Sequence, residues 1–462
     1  MISLAAIAQV EQQVTPPELT QQEARRQVIA LAWPAVVEQL LVTLFGMVDM
    51  MMVGGVGPLA IAAVGLTNQP MFLALAAFQA LNVGTTALVA RFVGAQDISE
   101  ANATIRQSLL VVVALGGLAS ALVYIFAEPM VVFMGATDEA VGYAVTYLRV
   151  ISFGLLPQII GMCVTAVLRG AGDTKTPMRF NIIANIFNVI GNYLLINGNF
   201  GFPAWGVFGA AFATSLSRLI SCGLSLYVIF QGKSLLHISL RDRFVPRWDL
   251  ISRVFRVGLP SLLEQLLMRF GNIVFTKTVS GLGMATYAAH QIGMNIQSLS
   301  FTPGHGFGMA ATSLVGRSLG EKRPDNAEKY GWQTRQVGQY VAVTMGLVFF
   351  FGGRYIASLY TDDPDVIQTA ALVLKVAAFI QPFQSSQFIL AGALRGAGDT
   401  RWPLISTFIG VAGIRVVLAL LFINVMQLGV IGAWYALLVD QFTRSLVIYF
   451  RYNSKHWQKA QV

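Results

Sequence analysis

Leu168-Arg169-Gly170-Ala171-Gly172-Asp173-Thr174 recurs without change as Leu394-Arg395-Gly396-Ala397-Gly398-Asp399-Thr400, 226 residues further on. The same offset carries Pro34-Ala-Val-Val-Glu38-Gln39-Leu-Leu onto Pro260-Ser-Leu-Leu-Glu264-Gln265-Leu-Leu, Leu88-Val-Ala-Arg91 onto Leu314-Val-Gly-Arg317, and Arg149 onto Lys375. One register held through four motifs is an internal duplication. After a three-residue slip, Gly206-Val-x-Gly209-Ala meets Gly429-Val-x-Gly432-Ala, so the repeat runs almost the length of the chain.

What is duplicated is apolar. Of 462 residues, 55% are apolar and 11% charged, with mean hydropathy +0.64, whereas a soluble chain carries roughly 25% charge. A bilayer-crossing helix needs about 20 apolar residues, and twelve stretches qualify: 28–53, 60–84, 106–127, 141–166, 178–198, 206–231, 253–277, 286–312, 333–352, 366–390, 403–424 and 429–450. The expected fold is an all-α integral membrane protein of twelve transmembrane helices in two six-helix lobes. Six is even, so the lobes share one orientation, related by a pseudo-two-fold axis along the membrane normal, with a cleft between them. The expected segments are an arm (1–27), an amino lobe (28–231), a linker (232–252), a carboxy lobe (253–450) and a tail (451–462).

Charge orients the spans. Arg91, Arg106, Arg169, Lys175, Arg179, Lys233, Arg241, Arg243, Arg247, Arg317, Lys322, Arg323, Lys329, Arg395 and Arg401 fall in or beside one set of loops, against Lys277 and Arg354 at the opposite face. The positive-inside rule then puts both termini in the cytoplasm. The formal charge of +9 is therefore topological, and nucleic acid is not an expected partner. The arm lacks the charged, apolar and small-residue succession of a signal peptide. Within it Thr20 and Glu23 have capping-box spacing, which predicts a short surface helix leading into the first span. Cys163 and Cys222 lie inside apolar stretches, so neither a disulfide framework nor a zinc site is expected.

The paired LRGAGDT segments, Val48-Asp49 followed by Val53-Gly54, Ala289-His290-Gln291-Ile292, and the run Leu314 to Lys322 together resemble the multidrug and toxic compound extrusion (MATE) family of secondary antiporters, over roughly residues 28 to 450. The resemblance implies multidrug efflux of small organic cations by alternating access, driven by H⁺ or Na⁺, in a multi-pass protein of a bacterial cytoplasmic (inner) membrane. It implies no cofactor, and a monomer is the expected state.

Ionisable groups inside a bilayer are costly, so each is a functional candidate. Asp49 sits about 6 Å below the outer end of its span; Asn192, Thr214 and Asn188 lie about 9, 12 and 15 Å deep in theirs. These four oxygen-bearing groups form the expected coupling site, suited either to a hard cation or to a proton. In the family the matching Asp and Asn belong to the amino-lobe ion site, and some branches carry an Asp where this chain has Asn192.

Glu38 and Glu264 occupy equivalent places in the two lobes and, with His290 and Gln384, are candidates to line a substrate cleft; interhelical hydrogen bonding is the alternative for the glutamates. Some family members build a carboxy-lobe ion site from a span-seven Glu and a span-ten Asp. Here Glu264 lies one turn early and the span-ten position is Gln384. Arg415, Asp440 and Arg444 form an expected structural ion-pair group, Asp440 and Arg444 being spaced i,i+4. His290 and His305 are isolated as metal ligands, and no metal site is expected. The RGAGDT loops lack a phosphate-loop ending, and no span holds a hydrolase constellation, so no enzymatic activity is expected. Arg149 and Lys375 are expected to snorkel as anchors.

Met47, Met50, Met51 and Met52 around Asp49 offer adaptable apolar surface, and Pro34, Pro157, Pro260 and Pro382 can bend spans. The alternative function is a flippase for lipid-linked precursors, which needs clustered mid-membrane cations. On sequence only Arg269 and Arg415 approach mid-membrane, against Glu38, Asp49, Glu264 and Asp440. That negative balance favours cationic cargo.

Overall fold

The computed structural model describes residues 19–232, 235–239 and 244–460. The basic positions Lys233, Arg241 and Arg243, most of the arm and the last two tail residues lie outside the described residues. Twelve long helices follow one another: α1 Gln21–Gly54, α2 Pro58–Gly94, α3 Ile98–Ile125, α4 Asp138–Gly170, α5 Lys175–Leu195, α6 Gly206–Phe230, α7 Trp248–Ser280, α8 Met284–Gly320, α9 Pro324–Ser358, α10 Pro364–Ala397, α11 Arg401–Val425 and α12 Gly429–Asn453. The protein is an all-α, two-lobed membrane protein in which α7–α12 repeat α1–α6.

By length and composition eight of these helices can cross a membrane among the described residues. The other four, α5, α7, α8 and α12, are interrupted by Asn188 and Asn192, by Glu264 and Asn272, by His290 and Gln297, and by Asp440 and Arg444, all but Asn272 buried. Polarity that breaks an apolar run here sits inside the bundle, where protein partners replace water.

Several helices outrun their predicted spans. The box at Thr20 forms as expected, with the Thr20 hydroxyl accepting from the Glu23 amide at 3.2 Å and the Glu23 carboxylate accepting from the Thr20 amide at 3.0 Å. It opens α1 itself, which runs unbroken through Pro34 rather than following a separate surface helix. At the repeated motif, Gly172 and Gly398 take φ of +88° and +89°, the left-handed region open to glycine at a helix stop. Asp173 then caps α5 by accepting from the Lys175 and Thr176 amides at 3.1 and 3.0 Å. Asp399 instead pairs with Arg451 at 2.7 Å. In α11, residues Phe408–Arg415 and Leu421–Val425 are wound as π-helix, a wider turn that re-aims side chains and is frequent at functional sites.

In the amino half α2, α3 and α6 pack around α4; in the carboxy half α8, α9 and α12 pack around α10. The first helix of each half also reaches into the other. Ala24, Val28 and Ala32 of α1 are buried in a cluster with Phe307, Leu314, Val337 and Ile389, while Val254 and Val257 of α7 join the amino-half core. Close to the basic loops α2 crosses α8 at small residues: a Cβ on Gly94 would strike the Arg317 carbonyl, one on Gly320 the Arg91 carbonyl, and one on Gly316 the Ala90 methyl. Gly94 and Gly320 are 226 residues apart, so the pseudo-two-fold axis passes through this crossing, and here the two halves are closed on each other.

Candidate functional site

At the far end of α1, away from the basic loops, Asp49 accepts a short hydrogen bond from the Asn192 amide of α5. Asn192 is fully buried, and its nitrogen also lies 3.5 Å from the Asn188 carbonyl oxygen. Asn188 in turn donates to the Thr214 hydroxyl of α6 at 3.2 Å. The four sequence candidates thus form one chain of contacts across α1, α5 and α6. Helical periodicity explains it: Asn188 and Asn192 are one turn apart on the inner face of α5. The Asn192 side-chain oxygen has no protein partner.

Two residues missed in the sequence complete this corner. Arg218 of α6 and Tyr147 of α4 lie within electrostatic range of Asp49. Arg218 carried a signal, being a lone charge in an apolar span and one helical turn beyond Thr214. Tyr147 carried none, since only the packing of α4 beside α6 brings it there.

Nearer the basic loops, each half holds a copy of one network. Arg169 pairs with Glu38 at 2.8 Å, Asn181 donates to Glu38 at 2.6 Å, and Ser221 donates to Asn181 at 3.0 Å. In the carboxy half Arg395 pairs with Glu264 at 2.7 Å, Thr407 lies 3.4 Å from Glu264, and Arg444 donates to Thr407 at 2.8 Å. The repeat offsets superpose the two networks residue for residue, Ser221 falling on Arg444. Both glutamates are buried and neutralised by the repeated-motif arginines, which differs from the free cleft carboxylates that spacing suggested.

Those arginines correct the charge balance read from sequence. Arg169 and Arg395 stand at the edges of the basic loops, but their long side chains reach back to the buried Glu38 and Glu264, and Arg218 and Arg444 join Arg415 within the bundle. The membrane interior of this protein is not predominantly acidic.

In the carboxy half Arg415 binds Asp440 through its Nε at 2.8 Å and donates to Asn272 at 2.7 Å. Of the two arginines offered to Asp440 by sequence, it takes Arg415; Arg444 is bonded to Thr407 and, at 3.3 Å, to the Met268 sulfur. His290 is fully buried, its Nδ1 accepting from the Trp434 indole at 3.2 Å and its ring set against Phe275 and Tyr287. Gln384, also buried, lies 3.5 Å from Gln297 and lines a small cavity with Ser300, Gln381 and Ser385 between α8, α9 and α10. Neither contacts Asp49 or its partners. His305 lies beside the Glu264–Arg395 pair.

Two repeated helical lobes, joined at one face and holding separate buried polar networks, define a class of membrane transporter. The MatE family model matches residues 34–194 and 260–421, two segments that begin at the repeated prolines, and the chain belongs to the MatE family. It is 34% identical to the probable multidrug resistance protein NorM of Thermotoga maritima, over 95% of this chain and 94% of that one. The multidrug resistance protein PmpM of Pseudomonas aeruginosa is 31% identical, over 84% and 82% of the two chains. Among solved structures, an outward-facing conformation of a multidrug resistance MATE family transporter superposes with TM-score 0.87 at 25% identity, covering 94% of this chain and 96% of that one. The protein is a transporter rather than an enzyme.

Proposed function

We propose that the protein is a secondary active multidrug exporter, exchanging organic cations for H⁺ or Na⁺ by alternating access in a bacterial inner membrane, with both termini in the cytoplasm. The observation that carries coupling is Asp49, a carboxylate on α1 held by buried Asn192 and linked through Asn188 to Thr214. Protonation or cation binding there changes the charge at the junction of α1, α5 and α6, the kind of local event that biases a two-state packing. Arg218 and Tyr147 tune the site, the first by its charge and the second by a hydroxyl within range. Closure at the basic-loop face corresponds to an outward-facing state. The names of NorM and PmpM support drug cargo.

Ethidium efflux from inverted vesicles under separately imposed H⁺ and Na⁺ gradients tests the proposal. Wild type follows one gradient, which identifies the ion, and Asp49→Asn lowers the gradient-driven rate at least about tenfold, as expected when an interaction specific to the coupled step is lost. Efflux unchanged in Asp49→Asn would remove the site while leaving export standing; absence of driven efflux of any cationic dye would favour the flippase alternative.

A further inference from the structure

The two halves agree at Glu38 and Glu264 and part company at Asp49. Offset by 226 residues, Asp49 becomes Phe275 and Gly46 becomes Asn272. The same offset sets Arg415 one position past Asn188. A π-turn takes in one residue more than an α-turn, so the winding of Phe408–Arg415 rotates Arg415 onto the face that Asn188 holds in α5. There its guanidinium stands 6.0 Å over the Phe275 ring, donates to Asn272 at 2.7 Å and binds Asp440 at 2.8 Å. Asp440 itself falls on Ser217 of α6, close to one turn from Thr214. The pair is closed off, Arg415 being 3% exposed and Asp440 fully buried. The carboxy-half counterpart of the Asp49 corner thus contains a carboxylate, an amide oxygen and an aromatic face, groups that receive a cation, and the cation they receive is a side chain.

Charge points the same way. Glu264 and Asp440 face Arg395, Arg415 and Arg444, so this buried seam already holds one positive charge in excess, and a further cation would add a second. In the amino half Glu38 and Asp49 face Arg169 and Arg218, and one added cation brings that seam to the same balance. We infer that Arg415 is a tethered cation that permanently fills the carboxy-half counterpart of the coupling site, so that only the Asp49 corner exchanges its ion and each monovalent organic cation leaves against a single H⁺ or Na⁺. The inference rests on the antiport reading and adds its stoichiometry.

Purified full-length protein in proteoliposomes tests this with ethidium, which carries one fixed positive charge. A gradient of the coupling ion is imposed, and the membrane potential is clamped separately with valinomycin and potassium. One ion per dye moves no net charge, so the steady ethidium ratio across the wild-type membrane should be the same at every potassium gradient. Two ions per dye move one net charge, and each tenfold step in the potassium gradient would then change the ratio about tenfold. In Arg415→Gln, Asp440 loses its guanidinium while Arg444 remains on Thr407, so a second ion should enter and the ratio should acquire that tenfold dependence; adding Asp440→Asn should abolish it. The wild-type measurement stands if the variants fail to fold. A wild-type ratio that follows the potassium potential, or an Arg415→Gln ratio as insensitive as that of wild type, would overturn the inference alone. No ion-driven ethidium ratio in wild type would overturn it together with the antiport reading.

Discussion

Glu264 and Glu38 stand at matching positions of the repeat and pair with equivalent arginines, yet they neutralise different surroundings. Glu38 faces Arg169, with Asn181 and Ser221 beyond it. Glu264 faces Arg395 and lies within electrostatic range of Arg444 as well. Removing one partner of a buried pair costs about 3–5 kcal/mol. Glu264→Gln removes a counter-charge from Arg395 and from Arg444, which keeps Asp440 in range, whereas Glu38→Gln removes one from Arg169 alone, so the carboxy-half variant should show the larger fall in Tm by tryptophan-fluorescence melting. Combining Glu38→Gln with Arg169→Gln should restore part of the loss. Equal losses in the two single variants would show that Arg444 does not feel Glu264. These pairings were only half legible. The offset exposed both glutamates and both arginines, but hydropathy assigns a loop-edge arginine to the loop, and only its reach of several ångströms back into the bundle makes it a partner.

At the scale of elements, the twelve helices and their order could be read from apolar runs because a spanning helix must satisfy its backbone internally. How α1 and α7 cross into the opposite halves could not, because apolar residues such as Val28 and Val254 look the same whichever lobe they pack against. Nor was the π-winding of α11 visible. The α2–α8 crossing was present as Ala90-x-x-x-Gly94 and Gly316-x-x-x-Gly320, and its meaning follows from contact: backbone meets backbone where no side chain intervenes. Overpacking such a joint costs about 1–3 kcal/mol, enough to move a two-state population roughly five- to 150-fold. Gly94→Leu should therefore populate the state open at the basic-loop face. Ala87, fully buried on α2 beside this crossing, reports on it as Ala87→Cys after Cys163→Ala and Cys222→Ala. Maleimide labelling should accelerate several-fold when Gly94→Leu is added; an unchanged rate would mean that this crossing does not have to open.

Over the whole molecule, closure of the basic-loop face is not left to α2 and α8 alone. Beyond α12 the chain turns back at Lys455, which has φ of +59° and pairs with Glu328 at 2.7 Å. Trp457 then enters the carboxy-half core with no exposed surface, stacked on Tyr452 at 4.7 Å and donating to its carbonyl at 2.7 Å. Three residues later the Ala460 carbonyl accepts from Arg91 at 3.2 Å. Arg91 belongs to α2, so the tail of one half is bonded to the other half at the crossing itself. Losing a buried Trp costs about 3–5 kcal/mol, and here the loss falls on a segment that bridges the halves through the bond between Arg91 and the Ala460 carbonyl. Trp457→Ala should therefore lower Tm and also raise labelling of Ala87→Cys, whereas Trp434→Phe, a change deep within the carboxy-half core, should lower Tm with labelling unchanged. A parallel effect of both substitutions on labelling would show that the tail supports the carboxy half in general and does not hold the two halves together.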